Sequence, residues 1–148
     1  MAANSDIQKG IRNPNVDLKN TFLTTFKTLN NIKKFTTAKT KIIFPSSSAI
    51  YGKVLGNISE KTNIKNPISN YGYMKLSAEK FVSFFSKVNN VKAYIFRFPN
   101  VVGKNLTHGI IYDFNKKIKI KSKILKVLGN GEQQKPYSDV KEIINCMI

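Results

Sequence analysis

A serine, a tyrosine and a lysine form the part of this 148-residue sequence that is best suited to acid–base chemistry. The serines Ser46–Ser48 follow Lys41–Phe44, whose apolar residues predict a buried strand. Tyr71 and Lys75 begin a segment with a helical pattern, and their spacing places them on one helix face. A phenol loses its proton more easily beside a cation, and a serine hydroxyl can hydrogen-bond the same substrate oxygen. These residues therefore predict a site that takes a proton from a hydroxyl group.

The Tyr-x-x-x-Lys spacing is not specific by itself, because the chain holds 6 tyrosines and is rich in lysine. The spacing occurs at Tyr71/Lys75, Tyr112/Lys116 and Tyr137/Lys141. Only the first pair follows a strand that ends in serines and opens a helix that leads to another strand. Ligands bind at the carboxyl ends of strands in an open α/β sheet. This context favours the first pair, and the other two are expected to be surface or packing residues.

Hydrophobic periodicity predicts alternating helices and strands, which is typical of an α/β fold. Helices are predicted over Val16–Phe35 and Tyr71–Val88, and a strand over Val91–Phe98. The second helix is expected to bury Leu76, Phe81, Phe84, Phe85 and Val88. Further along, the pattern predicts a short strand at Leu125–Leu128 and a helix over Val140–Ile148.

The runs SSSAIYG (46–52), NYGYMKLSAEKF (70–81) and RFPNVVG (97–103) resemble the extended short-chain dehydrogenase/reductases, specifically the NAD-dependent epimerase/dehydratase family. The resemblance covers nearly the whole chain and is closest to nucleotide-sugar epimerases of the UDP-glucose 4-epimerase type. It implies an α/β fold in which residues 1–103 form part of a doubly wound Rossmann-type parallel sheet that binds NAD. Residues 104–148 would begin a small substrate-binding domain, in which Thr107–Phe114 resembles the family's helix.

The resemblance also implies a role for each matching residue. Tyr71 as phenolate takes the hydroxyl proton, Lys75 lowers the pKa of Tyr71 and holds the nicotinamide ribose, and Ser47 hydrogen-bonds the substrate oxygen. NAD is expected to lie against Ala2, Ala3, Asn20, Lys75, Phe98 and Pro99. A nucleotide sugar, namely a UDP-sugar, is expected at Ser48, Asn100 and Lys135. The family's homodimer is expected as well.

Three departures from the family pattern refine these expectations. Pro99 replaces the usual aromatic or small residue, and Lys135 replaces an arginine that grips the diphosphate. Lysine keeps the charge but loses the bidentate geometry. Ser48 and Ala49 stand where dehydratases carry an Asp-Glu pair, so the acid needed to eliminate water is missing. This favours an epimerase or a ketoreductase over a dehydratase.

The family's glycine-rich turn, which lets backbone amides approach a pyrophosphate, is missing from the sequence. Gly10 is isolated, and Gly129 and Gly131 lie far downstream. The resemblance thus implies a fragment that lacks roughly the first 80 residues of the fold. We expect the 148 residues alone neither to bind NAD usefully nor to turn over a sugar nucleotide. The alternative is an inactive remnant or one partner of a split gene.

The net charge of +17 is the unusual bulk property. It suggests a nucleic-acid-binding module as a further alternative. Arg12 and Arg97 are the only arginines, however, and arginine is the better partner for phosphates and bases. The abundance of Lys, Asn and Ile is typical of an AT-rich genome, so nucleic acid is not the favoured partner.

Location and metal binding are predicted from what the sequence contains. The single cysteine, Cys146, indicates a reducing compartment, and the first residues do not follow the layout of a signal peptide. No apolar run approaches the roughly 20 residues that span a bilayer, so we expect a cytoplasmic protein without a membrane partner. His108, the single histidine, has no partner at ligand spacing, and no metal site is expected.

Overall fold

The computed structural model describes residues 3–4, 6–54, 56–63, 65–120, 124–127 and 129–148. The chain divides into two compact units, Met1–Phe98 and Pro99–Ile148. The functional boundary predicted after Gly103 concerns which residues bind which ligand, and it stays a prediction. No helix among the described residues is both long enough and apolar enough to cross a membrane.

The first unit is built around a parallel pair of strands. Strand β1 (Lys41–Ser47) pairs with β2 (Lys92–Phe98), so that Lys41 lies opposite Lys92 and Ser47 opposite Phe98. Ile42, Phe44 and Ser46 are buried because alternate side chains of a strand point to the same face. Strand β1 runs further than the sequence predicts, and Ser47 is therefore its last residue.

The single helix predicted over Val16–Phe35 is a series of shorter helical segments. Helix α1 (Ile7–Arg12) comes before the predicted span, which covers the end of α2 (Pro14–Asp17), a π-helical turn (Leu18–Leu23), α3 (Thr24–Ile32) and a 3-10 turn (Lys33–Phe35). The Asn13 side chain accepts a hydrogen bond from the Asn15 amide, and Pro14 occupies the first turn of α2. In the π-helical region the Thr24 hydroxyl donates to the Lys19 carbonyl. Threonine hydroxyls that bond to backbone carbonyls perturb regular helical geometry.

Helix α4 (Asn70–Val88) is the long helix that the sequence predicts. The Ser69 hydroxyl caps it by accepting a hydrogen bond from the Gly72 amide at 3.1 Å. The buried face carries Ala78, Val82 and Phe85, and these residues pack on α3 and on the sheet. The expectation that Phe84 and Val88 are buried is wrong, because Phe84 is 60% and Val88 is 59% exposed to solvent.

The second unit contains two short parallel strands and two helices. Strand β3 (Asn100–Val102) pairs with β4 (Tyr137–Asp139), and the helices are α5 (Ile110–Lys119) and α6 (Val140–Met147). Asp139 and Glu142 form a capping box at the start of α6. Neither strand was predicted from the sequence. The predicted strand at Leu125–Leu128 is wrong for 125–127, which are not strand, and Leu128 lies outside the described residues.

Candidate active site

Ser47 and Tyr71, two of the three predicted catalytic residues, meet at the carboxyl end of β1. Ser47 ends the strand, and Tyr71 lies in the first turn of α4. The Ser47 hydroxyl is near enough to Tyr71 to act on its pKa as a hydrogen-bonding group. Gly72 permits this approach, since a Cβ at that position would come within 2.7 Å of the Ala49 carbonyl oxygen. The site therefore depends on close contact between the start of α4 and the turn after β1.

The phenol is the favoured form of Tyr71 in this structure. Burial raises the pKa of Tyr71 above its ordinary value of 10.0, the hydrogen bond with Ser47 lowers it, and the charge of Asp17 raises it further. The net shift is upward. Burial thus outweighs the polar contact with Ser47, and the predicted lowering of the Tyr71 pKa by Lys75 stays a prediction.

Lys75 is buried one helical turn after Tyr71, as predicted from the spacing, but its ammonium binds a backbone carbonyl. Its Nζ donates to the Pro45 carbonyl oxygen at 2.7 Å and lies 5.1 Å from the centre of the Phe44 ring. The centre of the Tyr71 ring is 5.9 Å away. Burial lowers the pKa of Lys75 to about 8, and the charge of Glu79 offsets part of this shift. Lys75 is thus tied to β1, the strand that carries Ser47.

A buried ionic network, which the sequence reasoning missed, connects the elements of this site. The Arg97 guanidinium donates to both carboxylate oxygens of Glu79, with 3.0 Å between Nη2 and Oε2. It also donates from Nη1 to the Tyr51 hydroxyl at 2.8 Å, and Tyr51 in turn donates to the Ser59 carbonyl. These hydrogen bonds link β2, α4 and the turn after β1. The sequence held one indication of this network. Glu79 is four residues after Lys75, a spacing that places the two charges on the same face of α4.

The predicted cofactor residues of the first unit lie in different environments. Ala2 is outside the described residues, whereas Ala3 is half-buried. Asn20 is exposed on the π-helical turn, and its neighbour Thr21 is buried instead. Phe98 ends β2 opposite Ser47 and stacks on Phe96, with 5.6 Å between ring centres. The structure therefore brings Phe98 to the same strand ends as Ser47 and leaves Asn20 on the surface.

Ser48 is the predicted substrate residue of the first unit. It directly follows Ser47, is half-buried and opens the 3-10 turn Ser48–Tyr51. The Ser47 hydroxyl accepts a hydrogen bond from the Ala49 amide at 3.2 Å, which holds this turn against the strand end. Ser48 therefore lies beside the candidate catalytic serine.

The remaining predicted site residues belong to the second unit. Pro99 directly follows β2, and Asn100 begins β3. The Asn100 side chain donates to the Pro136 carbonyl at 3.2 Å, and Lys135 is the exposed residue just before that proline. Pairing of β3 with β4 thus brings two predicted substrate residues near each other. Across the part of the chain that the structure describes, no group of three or more His, Cys, Asp or Glu side chains could hold a metal ion.

Comparison with known proteins shows which family has this arrangement. The family described as the NAD dependent epimerase/dehydratase family matches residues 1–148. The chain belongs to this family. An uncharacterised UDP-glucose epimerase of Bacillus subtilis (strain 168) is 28% identical to this chain over 102 residues. The match covers 69% of this chain and 32% of the Bacillus protein.

Solved structures of two epimerases superpose on the epimerase-family chain. The UDP-N-acetylglucosamine 4-epimerase of Methanobrevibacter ruminantium M1, solved with UDP-N-acetylmuramic acid, is 25% identical with a TM-score of 0.84. The UDP-glucose 4-epimerase of Thermotoga maritima, solved with UDP-glucose, is 26% identical with a TM-score of 0.85. Each match covers 99% of this chain and 48% of the other.

These comparisons confirm the predicted family and the predicted α/β, Rossmann-type fold. NAD, the cofactor predicted from the sequence, is the one that the family's description names. This chain spans less than half of the length of these three relatives.

Proposed function

We propose that this chain carries the acid–base half of an NAD-dependent nucleotide-sugar epimerase, an enzyme that reversibly oxidises a sugar hydroxyl. The observation that carries the proposal is the meeting of Ser47 and Tyr71 at the carboxyl end of a parallel strand, with Lys75 buried one turn later. Membership of the epimerase/dehydratase family supports the same reaction class. Because two similar enzymes were solved with UDP-linked sugars, a UDP-sugar is the proposed substrate class.

Tyr71 exchanges a proton with the reacting sugar oxygen. As a phenol it is ready to donate this proton to the oxygen of a keto-sugar, which is what the reduction half of the reaction requires. In the oxidation half the phenolate accepts the hydroxyl proton. Ser47 donates a hydrogen bond to the same oxygen and holds it beside Tyr71. The hydride acceptor for this chemistry is supplied by NAD when it is bound.

The residues around Lys75 fit a dinucleotide. An ammonium group has three donors, and one of them is used on the Pro45 carbonyl. The other two have no hydrogen bond to the described residues and are proposed to bind the hydroxyls of a ribose, while the stacked pair Phe96 and Phe98 forms an apolar wall at the end of β2. Ala3 and Asn20 remain proposed cofactor contacts, as does Ala2, which lies outside the described residues. Pro99 is proposed for the same role.

Asn100 and Lys135 are proposed to bind the nucleotide sugar together with Ser48. The hydrogen bond from the Asn100 side chain to the Pro136 carbonyl supports this proposal. Because Pro136 directly follows Lys135, this bond holds the side-chain amide of Asn100 close to Lys135. Lys135 supplies one charge for the diphosphate without a bidentate grip. Ser48 and Ala49 supply no acid for elimination, so we propose an epimerase or a ketoreductase. We also propose that the functional unit includes a glycine-rich N-terminal half, is a homodimer and lies in the cytoplasm.

The test is a fusion of this chain behind the N-terminal half of the Thermotoga maritima enzyme, called here the completed fusion. Tyr71→Phe should lower kcat for UDP-glucose/UDP-galactose interconversion by at least about 100-fold, the usual contribution of a general acid–base group. NAD binding should persist. Tyr112→Phe, which alters a second Tyr-x-x-x-Lys pair, is the matched control and should leave kcat unchanged. Full turnover in the Tyr71→Phe fusion would remove Tyr71 from the mechanism.

A further inference from the structure

A fully buried carboxylate lies at the end of α2, where the proposed reaction does not use it. Asp17 has no exposed surface, and its Oδ1 accepts a hydrogen bond from the Asn4 side chain at 2.6 Å. Its Oδ2 is buried and has no hydrogen-bond partner among the described residues. Burial of a carboxylate with an unsatisfied oxygen costs free energy. Such a group calls for a physical reason.

The position of Asp17 connects it to the start of α4. Gly10 leaves room for the carboxylate, because a Cβ on this residue would overlap Asp17 Oδ2. The carbonyl of Gly10 accepts a hydrogen bond from the Asn70 side chain at 3.2 Å, and Asn70 directly precedes Tyr71. The carboxylate is thus packed against the backbone that holds the first residue of α4. Asn4 secures the other side, since its backbone amide donates to Thr21 Oγ1 at 3.3 Å.

Two polar groups act on the pKa of Tyr71, and the Lys75 ammonium lies 5.9 Å from the centre of its ring. Ser47 on β1 is uncharged and donates or accepts a hydrogen bond, while Lys75 on α4 directs its ammonium to the Pro45 carbonyl. Burial is the largest cause of the raised Tyr71 pKa, and the negative charge of Asp17 on α2 raises it further. A buried charge is poorly screened by salt. Asp17 therefore opposes the formation of a second anion at Tyr71.

We propose that Asp17, held by Asn4 and accommodated by Gly10, is a positioning residue that holds the start of α4 and opposes a negative charge at Tyr71. This inference rests on the proposed role of Tyr71 as the acid–base group. The site then favours proton donation, and a positive charge near the phenol that offsets the charge of Asp17 favours the base form of Tyr71. The pair Gly10 and Asp17 acts as one unit, because the glycine makes the carboxylate position possible.

The experiment measures the ionisation of Tyr71 in the 148-residue chain by NMR of ring-labelled tyrosine across a pH series. The Tyr71→Phe spectrum identifies the resonance. Asp17→Asn keeps the size of the side chain and an oxygen for Asn4 but removes the charge, so the Tyr71 midpoint should move to lower pH. Asp6→Asn removes the same charge from the exposed cap of α1 and should leave the midpoint in place. An unmoved midpoint in folded Asp17→Asn, or an equal movement in Asp6→Asn, overturns the proposal.

A second variant covers the case in which Asp17→Asn does not fold. Gly10→Ala keeps the charge but displaces the carboxylate, and it should also lower the Tyr71 midpoint; no movement in this variant would contradict the inference. The titration needs no turnover and therefore separates the two proposals. If the Tyr71→Phe fusion remains active, the proposed function fails whatever the titration gives. If the fusion is inactive and the midpoint does not move, only the role of Asp17 fails.

Discussion

The two units of this chain treat their polar residues in opposite ways. The first unit buries Asp17, Lys75 and Glu79 beside an apolar core that includes Phe44 and Val82. Its Tyr71, Lys75 and Arg97 have displaced pKa values. In the second unit α5 and α6 have no buried residue among those described, and their lysines are exposed except for Lys117, which is half-buried.

This difference matches the tasks proposed for the two units. A proton-transfer group needs a pKa that differs from its value in water, and burial is the main way to achieve this. A residue that grips a diphosphate needs only an accessible charge. The candidate acid–base residues therefore lie in the unit that buries polar groups at a cost in free energy. The candidate diphosphate contact, Lys135, lies in the unit whose charges are exposed.

The largest expected effect tests whether the core of the first unit carries the stability. Phe44→Ala should lower the free energy of unfolding by about 4 kcal/mol, because it removes a fully buried ring between α4 and the sheet. Ile118→Ala, at an exposed position of α5, should change it by less than about 0.5 kcal/mol. Urea unfolding followed by circular dichroism measures both. Equal losses would erase the contrast between the units.

The ionic network provides the next test. Glu79→Ala leaves the Arg97 guanidinium without its carboxylate and should cost about 3 kcal/mol, as expected when one partner of a largely buried pair is removed. The matched control is Glu142→Ala, which breaks the exposed capping box of α6 and should cost about 1 kcal/mol. A smaller loss for Glu79→Ala than for Glu142→Ala in urea unfolding would show that the network does not hold the first unit together.

The pKa of Lys75 predicts how stability depends on pH. The folded chain gives up this proton at about pH 8, and the unfolded chain at 10.5. Between these two pH values the unfolded state binds more protons at Lys75 than the folded state does. The free energy of unfolding therefore rises with pH in this range. The raised pKa of Tyr71 acts in the opposite direction above about pH 10, where the unfolded phenol ionises first.

Two lysine variants isolate the contribution of Lys75 to the pH dependence of stability. Lys75→Met should remove the rise in stability that begins near pH 8, whereas Lys80→Met, at an exposed position on the same helix, should retain it. Urea midpoints taken at intervals from pH 7 to pH 10 follow the change. A Lys75→Met curve that rises as steeply as the unaltered chain would mean that another group is responsible.

The smallest expected effect concerns the exposed unit. In the completed fusion, Lys135→Ala should weaken UDP binding about tenfold, which corresponds to the loss of one charge-assisted hydrogen bond. Lys135→Arg should strengthen binding, since a guanidinium can contact two phosphate oxygens. Lys116→Ala removes an exposed charge elsewhere in the same unit and serves as the control. Calorimetric titration with UDP distinguishes them, and equal losses for Lys135→Ala and Lys116→Ala would indicate a general charge effect.

The regular elements of the first unit were predictable because their signals are local. A run of apolar residues identifies β1, and a period of three to four residues identifies α4. The short strands of the second unit were not predictable, because three residues carry no periodicity. Asn100 and Pro136 meet only through pairing across 36 positions of the sequence. The segment at 125–127 has the composition of a strand but no strand partner in the described chain.

The sequence by itself determined which residue types stand at the strand end and at the start of α4, and thereby the family and the kind of chemistry. Only the tertiary structure decided how those groups are charged and which groups they contact. The pKa of Tyr71 rises rather than falls, Lys75 binds the Pro45 carbonyl, and Asp17 faces Gly10. The reason is physical: residue types and spacings are local properties, whereas burial and contacts between charges arise when distant segments pack together.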